Sequence, residues 1–171
     1  MTNRRTLNDS ERLAWLRLAR TESIGPASFA ALMARFGNAR EALNEAPRLA
    51  RRGGAKGELR IPAEADSRAE LDALAELGGR LIASIEPDFP TGLAALDPPP
   101  PVISVLGRLD ILEREMVAIV GARNASALGI KFATQLARDL GDAGLVVSSG
   151  LARGIDSAAH TGALASGTVA V

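Results

Sequence analysis

Apolar and polar positions along the chain follow two periods, and the change falls near residue 80. The front part is helical in spacing. Leu13, Leu16 and Arg20 recur at helical intervals behind a candidate capping box, with Asn8 as cap and Glu11 reaching back. Ser23, Ile24, Gly25 and Pro26 interrupt that helix. Gly25 is expected to permit a left-handed turn, and Pro26 suits the first position of the next helix. Phe29, Leu32, Met33 and Phe36 stand at i, i+3, i+4 and i+7, one apolar face that Gly37 closes. Asn38 and Glu41 can cap a further helix, and residues 51–57 make a basic, glycine-rich loop. Pro62 is expected to restart a helix through Leu71, Leu74 and Leu77 that stops at Gly78 and Gly79. Residues 1–79 thus predict a small all-α domain.

Residues 81–85 and 102–106 read as strands, separated by Asp88-Phe89-Pro90 and a proline run at 98–101. Prolines cannot donate to a ladder, so residues 80–115 predict an extended strap with its lead-in strands. From Met116 the pattern is cleaner. Residues 116–120 are apolar at every position, the mark of a buried parallel strand. A helix follows over 126–143, with Leu128, Phe132, Leu136 and Leu140 on one face. Then come a strand at 145–148, a helix at 156–166 and a strand at 168–171. This βαβαβ order predicts the first half of a right-handed, Rossmann-like parallel α/β domain over 116–171. A half-sheet that stops in mid-strand leaves an apolar edge, so further chain is expected beyond Val171.

Composition narrows the chemistry. The chain has no cysteine and one histidine, which excludes disulfides, thiolate sites and a multi-histidine metal centre within one chain. No apolar run approaches the roughly 18 residues of a membrane span, and no apolar signal core follows Met1, so a cytosolic protein with no membrane partner is expected. Net charge is zero, yet residues 1–60 carry 12 Arg+Lys against 6 Asp+Glu, a basic front end facing any polyanion.

Ligands of such a sheet bind beyond the carboxyl ends of its strands. The first loop there is Gly121-Ala122-Arg123-Asn124-Ala125-Ser126, and the second is Gly150-Leu151-Ala152-Arg153-Gly154. Glycines let backbone approach an anion, helix starts offer unpaired amides, and each arginine adds a planar fork of donors. Gly121, Ala122, Arg123, Asn124, Gly150, Arg153 and Gly154 are therefore the predicted phosphate contacts. Glycines 121 and 129 are too far apart for a dinucleotide fingerprint, and no acidic residue ends the second strand to hold a ribose. Asp156 is expected to cap its helix and His160, one turn on, to make a structural hydrogen bond. With no nucleophile or paired carboxylate in either loop, no catalytic residue, metal or cofactor is predicted.

The strings 117–123 and 149–156, with Ala159, His160, Ala163, Leu164, Gly167 and Thr168, resemble the signature of the DprA/Smf family (DNA-processing protein A). Asp88-Phe89-Pro90, Leu93, Asp97-Pro98-Pro99 and Gly107 are similar to the segment that leads into it. The resemblance covers about residues 80–171. It implies a protein of natural transformation that binds and protects single-stranded DNA, loads RecA onto it, and dimerises through a later half of the domain. Ala122 stands where the family commonly has Ser or Thr, and Phe89 where it has Tyr. Residues 24–37 resemble a helix-hairpin-helix, so the front domain is expected to be of that SAM-like kind, with Ser23 in place of the first glycine. The alternative is a nucleotide phosphoribohydrolase on the same Gly-rich Rossmann framework.

Overall fold

The structure, a computed structural model, describes residues 4–54 and 57–171. Residues 1–3, together with Ala55 and Lys56 of the expected basic loop, lie outside the described residues. The chain forms two compact units, Met1–Gly107 and Arg108–Val171. The sequence placed boundaries after residues 79 and 115. Contacts instead join the first strand pair to the helices, because that pair packs on the first and fourth of them.

The first unit contains α1 (Asp9–Ala19), α2 (Pro26–Phe36), α3 (Ala39–Arg52), α4 (Glu64–Glu76), β1 (Arg80–Ala83), α5 (Thr91–Ala94) and β2 (Val102–Val105). The capping box closes at both ends. Asn8 Oδ1 accepts from the Glu11 amide at 2.9 Å, and Glu11 accepts from the Asn8 amide at 3.0 Å. Arg5 grips the same carboxylate with two bonds of 2.7 and 3.0 Å. That bond first, and the Asn8 amide second, hold Glu11 below the usual carboxylate range.

The expected left-handed turn is present two residues before Gly25. Ser23 adopts φ 63, whereas Gly25 is extended at φ −83. The physical reason is the N-cap: Gly25 must be extended to feed Pro26 into the first turn of α2, so the reversal falls before it. Trp15 and Phe29 meet in the core with ring centroids 5.0 Å apart. α4 begins at Glu64, behind an Ala63 cap, rather than at Pro62. β1 and β2 pair antiparallel, Leu81 opposite Ser104. The buried Glu86 ties the unit together, accepting from the amides of Leu7 at 3.0 Å and Ala83 at 2.9 Å and from Arg12 at 2.5 Å. Phe89 is fully buried.

The second unit contains β3 (Met116–Ala118), α6 (Ala127–Asp142), β4 (Val146–Ser149), α7 (Ile155–Ala163) and β5 (Thr168–Ala170). The sheet order is β3-β4-β5, all parallel, with Val117 opposite Val147 and Ser148 opposite Val169. Every strand therefore ends at the same edge, which collects both glycine loops. Two expectations change here. β3 is covered on one face only: Ile119 and Val117 pack under the helices, while Met116 and Val120 are exposed. Most of the leucine–phenylalanine face of α6 also points outward: Leu128, Phe132 and Leu136 are exposed, Leu140 packs against the core as expected, and Ala133, Ala137 and Gly141 are buried. Close approach to α7 decides this. A methyl on Gly162 would lie 2.2 Å from the Thr134 carbonyl oxygen, so only a small-residue face of α6 fits there. Among the described residues no helix is long and apolar enough to cross a membrane.

Candidate functional site

The first loop leaves β3 at Gly121 and enters α6 behind Ser126. The Ser126 hydroxyl accepts from the Gly129 amide at 3.1 Å, so the cap meets one amide of the first turn. Among the described residues the backbone amides of 121–128 donate no hydrogen bond. Ala127 and Leu128 are the first two helical residues, where no intrahelical acceptor exists. Gly121, Ala122, Arg123 and Asn124 are all exposed. Arg123 makes no hydrogen bond or ion pair among the described residues. This is a ledge of outward donors at the positive end of a 16-residue helix.

The second loop is built differently. Its carbonyls are held from below: Gly150 O by His160 Nε2 at 2.8 Å, and Ala152 O by the Ser157 hydroxyl at 2.8 Å and the Ser157 amide at 3.2 Å. The Ile155 amide donates to Ala122 O of the first loop at 3.2 Å. Thus the first turn of α7 spends two of its amides inside the protein, where the sequence suggested an open helix start like that of α6. Arg153 is exposed and makes no hydrogen bond or ion pair among the described residues.

The glycines explain how the loops interlock. A methyl on Gly154, which has φ +89, would lie 2.3 Å from Ala122 O and 2.7 Å from Arg123 O. One on Gly121 would lie 2.7 Å from the Ile155 side chain. These two glycines serve loop–loop packing, with the carbonyls of the first loop turned inward and Arg123 left on the outside. The Ser149 hydroxyl, donating to Ile119 O at 2.6 Å, locks the two strand ends beneath.

His160 is held at both ring nitrogens, by Gly150 O at 2.8 Å and by Thr168 Oγ1 at 2.7 Å. The Thr168 hydroxyl in turn lies 2.8 Å from Val147 O. Asp156 departs from expectation: Gly154 is the N-cap of α7, with no side-chain cap bond. Asp156 makes no bond to His160, and its carboxylate has no hydrogen bond or ion pair among the described residues. Ser157, Thr168 and the Ile155 amide were missed from sequence. Thr168 and Ile155 had a signal, as members of the family-like strings, and Ser157 had none. Clefts of about 500 and 630 Å³ lie in the first unit. The smaller is lined by Arg12, Arg68 and Arg80 but also by Asp9, Asp72, Glu86 and Asp88, so it offers an anion no net attraction.

Both parts of the chain are similar to known proteins. The family model described as DNA recombination-mediator protein A matches residues 80–171, and one described as a DprA-like N-terminal HHH domain matches residues 9–73. The putative DNA processing protein DprA of Mycobacterium tuberculosis is 34% identical over 177 residues, covering 92% of this chain and 44% of its own length. The DNA processing protein DprA of Streptococcus pneumoniae is 40% identical over 85 residues, covering 48% of this chain and 30% of its own length. The X-ray structure of DNA processing protein A from Streptococcus pneumoniae superposes with a TM-score of 0.54 at 32% identity, over 64% of this chain and 38% of that one. The chain thus spans less than half the length of these relatives.

Proposed function

Because this chain belongs to the DNA recombination-mediator protein A family, we propose that it binds single-stranded DNA through the ledge at the carboxyl edge of its parallel sheet. The run of unpaired amides over 121–128, ending at the start of α6 beside the unpartnered Arg123, carries this reading. A phosphate brings acceptors and negative charge to a run of free amides, an unpartnered arginine and a positive helix end. Neither loop holds an aromatic residue, so stacking contributes little and affinity rests on phosphates. A shallow ledge follows one flexible backbone, whereas a duplex is read by elements that enter its grooves. The protein works in the cytoplasm as a binder rather than a catalyst, delivers the strand to RecA, and pairs with a second copy through segments outside this chain. Several ledges in a row raise affinity by effective concentration, so this chain alone binds weakly.

The test is fluorescence anisotropy with labelled oligo-dT, a hairpin duplex as competitor, and a salt series. The reading expects single-strand preference and an affinity that falls steadily as salt rises. Equal competition by duplex overturns it. Release of adenine from AMP without oligonucleotide binding would instead mark the phosphoribohydrolase.

A further inference from the structure

Asp156 is 8% exposed, yet its carboxylate has no hydrogen bond or ion pair among the described residues. Both structural duties open to it are filled by others. Gly154 is the cap of α7, and the two nitrogens of His160 are taken by Gly150 O and Thr168 Oγ1. Among the described residues no donor reaches this carboxylate, so any partner it takes comes from outside the chain. The carboxylate lies over Gly150: a methyl there would stand 2.7 Å from Asp156 Oδ2. Among the described residues, Arg12 Nε is the one unpaired side-chain polar atom sealed from solvent. The Asp156 oxygens, unpaired as well, therefore keep an opening to solvent beside the second loop.

The free amides of residues 121–128 and the two exposed arginines donate, while Asp156 accepts. Phosphates carry no proton to give it, and the sugar of an internal deoxynucleotide has no hydroxyl. The remaining donors of a single strand are the N–H groups of its bases. We propose that Asp156 reads the edge of a base, and that the base it selects is guanine. Guanine alone presents two adjacent donors, N1–H and the 2-amino group, to the two oxygens of one carboxylate. Thymine offers one N–H between two repelling carbonyls. Adenine and cytosine each offer an amino group beside a ring acceptor. The proposal rests on the single-strand reading for how the base is delivered, but the recognition itself needs no phosphate.

Nucleosides therefore provide the deciding test. The chain, labelled with nitrogen-15, is titrated with the 2′-deoxy forms of guanosine and inosine and with thymidine, so that all three carry the same sugar, while the amides of residues 150–155 are followed. Guanosine is expected to bind about tenfold more tightly than thymidine, with inosine, which lacks the 2-amino group, in between. Asp156→Asn, checked for an unchanged melting temperature, removes the discrimination. Equal response to guanosine and thymidine overturns the proposal, as does a guanosine preference that survives Asp156→Asn; the wild-type inosine comparison decides it if the variant does not fold. A parallel arm compares an all-thymine heptamer with one carrying a central guanine. Guanosine selection without heptamer binding sinks the single-strand reading and leaves base recognition by Asp156 standing. Equal heptamer binding with no nucleoside selection does the reverse.

Discussion

The two glycine–arginine loops look like copies in sequence and do different jobs in the fold. Each follows a parallel strand, carries an exposed arginine and leads into a helix. In the first, the amides stay free up to the second residue of α6. In the second, His160 and Ser157 hold the carbonyls, and Ile155 ties the helix start to Ala122 O. The first is an open ledge of free donors, and the second is a buttress that shapes it. A Gly/Arg turn before a helix thus leaves donors free for a ligand only where the amides of the helix start remain unspent.

The largest effect is expected at the joint between the loops. Gly154→Ala forces a methyl against Ala122 O in a left-handed backbone and should destabilise the second unit by roughly 3 kcal/mol, read by chemical denaturation. An unchanged stability would show that the loops are not interlocked. Arg123→Ala comes next. It should weaken oligo-dT binding by about 1–3 kcal/mol and flatten the salt dependence, with folding intact. His160→Asn removes both ring hydrogen bonds and should lower stability by about 1–2 kcal/mol, while binding per folded molecule stays largely as it was. Lost binding at full stability would move His160 out of the buttress and into the site.

Smaller still is Arg153→Ala, expected to cost under about 1 kcal/mol of binding, the scale of an exposed charge beside a spent helix start. Should it equal Arg123→Ala, the distinction between ledge and buttress would fail. Acid gives the mildest contrast, because its effect falls in the other unit. Glu11 is held below the usual carboxylate range, so its contribution is present above that range and fades as pH falls through the lowered value. Glu11→Gln should remove about 0.5 kcal/mol at neutral pH, discounted for an exposed pair, and soften the acid limb of a melting-temperature profile.

Much of the fold was legible because it rests on local chemistry. The Asn8–Glu11 box, Pro26 at the start of α2, Gly37 at its end, and the alternation of strand and helix after Met116 all carry their signals within a few residues. The outward face of α6 was not. Leucines and a phenylalanine dominate the apolar pattern, while the decisive contact, Gly162 against the Thr134 carbonyl, joins backbones distant in sequence. The candidate loops were legible for the same reason as the caps. Their unequal roles were not, since carbonyl acceptors such as Ala122 O and Ala152 O have no signature in a sequence. Glu86 was invisible for that reason too: two of its three partners are backbone amides.

The most direct test of the ledge is to watch every amide of the chain by nitrogen-15 NMR as a short oligo-dT is added. The account predicts that the amides of residues 121–128 move first and furthest, that those of Ile155 and Ser157 move little, and that Arg123→Ala suppresses the whole response. Shifts centred on the start of α7, or on the first unit with residues 121–128 silent, would contradict it.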